Sequence, residues 1–361
     1  MNPRVLVFEL HHLGDAVLAV PFLQAAMRHS DIGVVCSASV SDLLGTLLPG
    51  LRVFPAKSSW PARLVQMLAL RRTFRPTTTV CAWADARVAV LAWAAGGDRR
   101  FGLPMNEVNY YASGIPWRRR NLRIGQWIEW GFRMCGVTLV NEPSDRRDVF
   151  GSQLSVWTML AARLGWEVDL TTPWFEVGQV SLGPEGDDFF ATHRRVGRRV
   201  CVVHPGGRLP TKRWPVAAYQ TLLETFFAQN DLAVLIIKPP GESAPVPVGP
   251  LQQQWECPSH AALNSCLALA DVVLCNDSYP AHLASALGKP VVAVFGSGEP
   301  AWFAPYGNEQ NVVRSSACPF HPCIDRCRMP SIVCLDSIPP AMVAETLARV
   351  LKPSQRLASG A

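Results

Sequence analysis

The chain has 361 residues, enough for two domains at about 150 residues each. Its 49% hydrophobic and 17% charged content excludes intrinsic disorder, which needs low hydrophobicity and high net charge. Thirty-four Lys and Arg against 28 Asp and Glu give a net charge of +6, too diffuse to indicate nucleic acid but compatible with an anionic substrate or membrane surface.

In chain order, the first half alternates β-rich runs with helical patterns. Strands are predicted at Arg4–Leu10, Ile32–Cys36, Leu51–Phe54 and Thr78–Ala82. Helices are predicted from Asp15 to about His29, then at Val40–Leu48, Trp60–Phe74 and Ala86–Ala95. Asn106–Arg123 breaks the pattern as an aromatic and basic loop, and Gly165–Pro184 reads as an interdomain linker.

The second half resumes the alternation. Strands are predicted at Arg199–His204, Leu232–Lys238, Val272–Cys275 and Pro290–Phe295. Helices are predicted at Pro215–Asn230, His260–Ala270, Tyr279–Ala286 and Ile338–Leu351, with a proline-rich loop over Pro239–Pro250 and a frayed tail after Pro353. Two doubly wound α/β domains with parallel sheets account for this order. We set their bounds at 1–170 and 171–338, followed by a C-terminal helix and tail at 339–361.

No segment reads as a membrane span, since the longest apolar run, Val88 to Ala95, is far short of the ~20 residues required. Glu9, His11, His12 and Asp15 interrupt the apolar start before any signal-cleavage site. Seven of the eleven cysteines are scattered singly through apolar segments, as in a cytosolic chain without a disulfide framework.

In doubly wound sheets, ligands sit beyond the carboxyl ends of the strands, so the loops after strands are the candidate sites. His11-His12-Leu13-Gly14-Asp15 follows the first strand, where Asp15 is either a helix cap or a general base. The loop from His204 to Pro215 places Gly206, Gly207, Lys212 and Arg213 before a helix, a combination that suits phosphate oxygens. It lacks the Gly-Lys-Ser/Thr of a Walker loop, and solvated cations around a packed Trp214 are its ordinary reading. Asn276-Asp277-Ser278-Tyr279-Pro280-Ala281-His282 again joins a strand to a helix, with Asp277 and Ser278 as caps or ligands and His282 as a core residue or ligand. Phe295-Gly296-Ser297-Gly298 is a glycine turn of no individual meaning.

Taken in order, these loops resemble glycosyltransferase family 9, the bacterial heptosyltransferases of lipopolysaccharide core synthesis. The matching pieces are Leu13-Gly14-Asp15, His204-Pro205-Gly206, Lys212-Arg213-Trp214-Pro215 and Asn276-Asp277-Ser278 through Ala284. They continue with Ala286 to Pro290, Phe295-Gly296 and Ala304-Pro305-Tyr306-Gly307.

The resemblance implies the GT-B arrangement of two facing Rossmann-like domains, with the acceptor in the first and a nucleotide sugar in the second. It implies inverting transfer that needs no cofactor, with ADP-heptose as donor and an anionic lipopolysaccharide precursor as acceptor. The enzyme would be cytoplasmic, at the inner face of the membrane. By the same resemblance Asp15 is the base and Lys212 meets the donor phosphates, while Glu242 serves the ribose. Asp277, Ser278 and His282 surround the donor sugar and diphosphate, with Gly206, Gly207 and Gly296 lining that pocket.

Two departures stand out. Tyr279 replaces the family's usual glycine, and prolines replace the helix that normally follows Glu242.

On the acceptor side, Gly14 and the run Arg118, Arg119 and Arg120 beside Trp117 are candidates, although such a run is ordinarily a solvated face. Cys318, Cys323, Cys327 and Cys334 fall within seventeen residues, a density that suggests a structural Zn or Fe site. Their gaps of four, three and six residues lack the paired two-residue spacing of zinc ribbons, which keeps free thiols or a disulfide as alternatives.

Three other readings stay open: a different donor or a protein acceptor, a sugar-nucleotide epimerase, and a non-catalytic nucleotide-sugar binding module. An epimerase turns over donor without acceptor, and a binding module keeps its role when Asp15 becomes Asn.

Overall fold

The computed structural model describes the chain apart from residues 1, 83–85, 103–130, 132, 140–151, 179, 239–242, 322, 324–326 and 353–361. The first half contains β1 (Arg4–Leu10), α1 (Leu13–His29), β2 (Asp31–Cys36), α2 (Ala38–Leu47), β3 (Arg52–Pro55) and α3 (Trp60–Thr73). It continues with β4 (Thr78–Cys81), α4 (Ala86–Ala95), β5 (Arg99–Gly102), β6 (Thr138–Leu139) and α5 (Gln153–Leu164). The second half opens with α6 (Pro184–Arg195), β7 (Arg199–His204), α7 (Val216–Thr225), β8 (Leu232–Lys238), β9 (Gln252–Glu256) and α8 (His260–Leu269). It closes with β10 (Val272–Asn276), α9 (Tyr279–Ala286), β11 (Val291–Phe295), α10 (Pro300–Phe303), β12 (Val312–Arg314), α11 (Val333–Asp336) and α12 (Pro340–Leu351).

Each half builds a six-stranded parallel sheet, ordered β3-β2-β1-β4-β5-β6 and β12-β11-β10-β7-β8-β9. Both orders reverse direction beside the first strand of their half, between β1 and β4 and between β7 and β10. A crevice opens at such a reversal, because the connections leave for opposite faces of the sheet. The α/β class and paired parallel sheets are those the sequence predicts. It does not predict β5, β6, β9 or β12, nor α5, α6, α10 and α11.

The central strands β7, β8, β10 and β11 are continuous apolar runs buried on both faces, as parallel strands between helix layers must be. One core runs from α1, α2 and α5 of the first half into α8, α9 and β11 of the second. Phe22 of α1 packs against Trp157 of α5 with ring centroids 5.1 Å apart. On the other face of the first sheet, α3 and α4 close a separate core around Leu6, Phe8, Met67 and Leu91. Between Gly165 and Gly183 the described residues form no helix or strand, and Trp174 N donates to Ala286 O of α9.

The loops at the carboxyl ends of the second sheet are tied together by Asn276, which has no exposed surface. Its Oδ1 accepts from Trp214 N at 3.1 Å and Tyr219 Oη at 2.9 Å. Its Nδ2 donates to Pro205 O at 2.6 Å and Gly206 O at 3.0 Å. Both lone pairs and both protons of the amide are therefore used. Asn276→Ala leaves Trp214 N and two carbonyls without partners, and a loss of about 3 kcal/mol is expected in urea unfolding. Asn276→Asp should lose a similar amount, because it sets a carboxylate oxygen against two carbonyls.

Candidate functional site

Asp15 stands in the first turn of α1, where the helix dipole favours an anion. Its carboxyl is nevertheless enclosed, and burial raises its pKa. His12, a hydrogen bond with the Gln153 side chain, Lys212 and Arg208 pull the other way. The first half supplies this carboxylate, while Lys212 and Arg208 come from the loop after β7 in the second. Gly14 makes that approach possible: a Cβ there would lie 3.1 Å from the His282 ring of α9.

On the other side, Lys212 ends a short 3-10 turn, and its Nζ is 2.9 Å from Asp277 Oδ2 and 5.3 Å from the centre of the Phe303 ring. Asp277 begins the loop after β10, and its backbone N donates to Val294 O. Ser278 is the N-cap of α9, yet its Oγ donates to Asn276 O instead of capping the helix amides. Gly296 is required sterically, because a Cβ would run into Thr211 O and Leu335. Gly298 is required for the same reason, since a Cβ would overlap the Asp277 carboxylate. Gly206 is held through its carbonyl by Asn276, whereas a Cβ on Gly207 would meet nothing nearer than 3.5 Å.

The His282 ring is buried, and its Nδ1 has no hydrogen-bond partner among the described residues. Burial first and Lys212 second bring its pKa down to about 4, so the ring is neutral at physiological pH. His204, at the end of β7, is also brought down to about 4 by burial. Tyr279 turns its side chain towards α8, where its Oη lies 3.0 Å from His260 Nδ1. Burial raises the Tyr279 pKa, so the phenol stays protonated.

The structure thus gathers Gly14, Asp15, Lys212, Asp277, His282 and Gly296 at the facing carboxyl ends of the two sheets, with Gly206 and Ser278 in the supporting loops. Glu242 and Arg118, Arg119 and Arg120 lie outside the described residues. Sequence reading missed Gln153, Arg208, Gly298 and Phe303. Arg208 and Gly298 lie in loops the sequence singles out, though nothing there marks them individually, while Gln153 and Phe303 stand in no motif and take their places from tertiary packing.

Cys318, Cys323 and Cys334 are buried, and none of the eleven cysteines is in a disulfide. Burial pushes the Cys323 thiol up to about 11, assisted by Cys334, Cys327 and Cys318. The Cys327 thiol faces the Met329 and Ser331 carbonyls. Cys318, Cys327 and Cys334 thus lie near the Cys323 thiol, but among the described residues no three His, Cys, Asp or Glu side chains are arranged to hold a metal ion. The fit to structural Zn or Fe is therefore poor.

Two opposite pH effects follow. A histidine brought down to about 4 in the fold takes up its proton more readily when unfolded, so stability falls as pH drops below the ordinary histidine range. Lowering the pH from 7 to 5 should cost on the order of 2 kcal/mol for each of His204 and His282, and His282→Gln should remove its share in urea titrations at the two pH values. Asp15, raised by burial, favours folding when protonated and loses that contribution as pH rises through its folded pKa. Asp15→Asn should therefore raise stability at neutral pH by about 0.5–2 kcal/mol, read as a higher Tm.

No curated protein matches the chain in sequence. Among solved structures, E. coli ADP-heptose lipopolysaccharide heptosyltransferase II superposes with a TM-score of 0.60 at 16% identity, over 96% of this chain and 98% of that one. E. coli heptosyltransferase WaaC with ADP gives 0.58 at 16% identity, over 96% and 99%. The iron-containing dodecameric glycosyltransferase TibC from enterotoxigenic E. coli gives 0.52 at 15% identity, over 97% and 76%. At these identities the likeness concerns the fold. The sequence profile of glycosyltransferase family 9 (heptosyltransferase) matches residues 121–332, more than half of the chain, and the chain belongs to that family.

Proposed function

We propose that the chain is an inverting, metal-independent transferase that moves heptose from ADP-heptose to a lipopolysaccharide core acceptor. The observation that carries this reading is the half-buried Asp15 of one half, its pKa raised by desolvation, set against Lys212, Arg208 and His282 of the other. It fits a displacement in which base and leaving group lie on opposite faces of a sugar ring.

Asp15 takes the proton of the acceptor hydroxyl as the oxygen bonds to the anomeric carbon. The bond to the donor's diphosphate oxygen breaks with its electron pair, and the nucleoside diphosphate leaves with that added negative charge. Lys212, Arg208 and the amides at the start of α9 stabilise the charge from fixed positions, which lowers the barrier without reorganisation at the moment of reaction. In the free protein, Asp277 holds Lys212 at the mouth of this pocket. His282, neutral and with a buried Nδ1 that has no partner among the described residues, is placed to hydrogen-bond a sugar hydroxyl, or to donate to a phosphate oxygen if that nitrogen carries the proton.

Glu242 is assigned to the ribose, and Gly14 with Arg118, Arg119 and Arg120 to an acidic acceptor, on the strength of the sequence. Among the described residues, no helix is long and apolar enough to cross a membrane. A cytoplasmic enzyme meeting its acceptor at the inner face of the membrane fits this proposal.

Calorimetric titration of ADP-heptose, beside ADP, UDP, GDP and other nucleotide sugars, tests the donor. ADP-heptose should bind preferentially, and Lys212→Ala should weaken it roughly ten- to hundred-fold. Asp15→Asn should leave donor binding in place and slow transfer by about 10²–10⁴-fold. Preference for another nucleotide sugar would overturn the donor assignment, and donor turnover without acceptor would favour an epimerase.

A further inference from the structure

We propose that the outer face of α3 and α4 docks on an anionic phospholipid surface. A helix covering a sheet normally turns polar side chains to solvent. On α3 the inward positions, Met67 and Leu70, are apolar as required. The outward positions are apolar too: Trp60 is 37% exposed, Val65 64% and Leu68 41%. Val65, Leu68 and Arg72 follow at intervals of three and four, and so form a single stripe along the helix.

On the neighbouring α4, Trp93 is likewise 53% exposed. Arg71 lies across the end of α4, its side chain 3.2 Å from where a Cβ on Gly96 would stand. The face therefore presents two tryptophans and two aliphatic side chains, with a pair of arginines at one end. This layer belongs to the core on the far side of the first sheet from α1 and α2, the helices that pack towards the second half.

Charge selects the occupant. No Asp or Glu occurs from residue 43 to 84, a stretch holding six Lys and Arg, and α4 contains no carboxylate. Asp42, at the near boundary, acts on His260 of α8 and so faces the other half of the molecule. A second copy docking here by two-fold symmetry would bring Arg71 and Arg72 towards their own counterparts, with the exposed Asp98, two residues after Gly96, as the described carboxylate flanking α4. A lipid surface with negative headgroups satisfies both features, because the arginines meet phosphates while Trp60 and Trp93 sit at headgroup depth with Val65 and Leu68 beneath them. No step of the sugar chemistry enters this inference, so it stands apart from the donor and acceptor assignments.

Vesicle flotation of the purified full chain tests it, with phosphatidylcholine vesicles and phosphatidylcholine–phosphatidylglycerol vesicles as probes. The chain should float with the phosphatidylglycerol vesicles alone and be released by high salt. Arg71→Gln with Arg72→Gln should weaken binding by about five-fold for each charge removed. Val65→Glu with Leu68→Glu should abolish binding, and both double variants should keep the wild-type unfolding midpoint because these side chains already stand in solvent. Flotation with neither vesicle, undiminished flotation of the Val65/Leu68 variant, or a dimer that Leu68→Glu dissociates would each overturn the proposal.

Discussion

Everything at the mouth of the second sheet hangs on the Asn276 side chain. It occupies the carboxyl end of β10, beside the point where the strand order reverses, and it has no access to water. The loop after β7 has no regular hydrogen bonding of its own from Pro205 to Leu209. Its shape is instead set by the Pro205 and Gly206 carbonyls held on one amide nitrogen and by Arg213, which donates to the Gly207 and Arg208 carbonyls, while the amide oxygen fixes Trp214 and Tyr219. A fully used buried amide has one geometry, which makes it a rigid reference point for the neighbouring loops. Lys212, two residues before Trp214, and Asp277, one residue after Asn276, are thereby brought within 2.9 Å of each other.

The opposite wall follows a different logic. Asp15 is placed where its charge is penalised by burial, and nearby cations only partly offset that penalty. A stable fold alone has no use for such a carboxylate, and sites that retain one trade stability for chemistry. Packing of α1 against α9 makes the arrangement permanent, with Gly14 allowing the His282 ring to approach the start of α1. The two halves therefore meet through a shared apolar core that leads directly into the polar site.

Much of this was legible in the sequence. The apolar runs of β1, β7, β8, β10 and β11 announce buried parallel strands, and the loops after β1, β7 and β10 announce the site. β9 was not legible because Gln252, Gln253 and Gln254 carry no apolar period; it is an edge strand, where one side of the ladder is open. β12 and β6 were too short to show a pattern. Asn276 reads as one polar residue in a capping motif, and only the fold reveals four bonds on it. Gln153 lies 138 residues from Asp15, a distance across which no spacing rule operates. The cysteine segment reads as a metal site by density alone, whereas its thiols turn partly to backbone carbonyls.

In the proposed mechanism Lys212 and Asp15 face each other across a nucleotide sugar. A crystal structure of the chain with ADP-heptose tests it most directly. Donor phosphate oxygens are expected within hydrogen-bond distance of Lys212 Nζ, with the Asp15 carboxylate on the face of the sugar opposite the diphosphate. A diphosphate bound away from Lys212, or Asp15 on the same face as the leaving group, would contradict it.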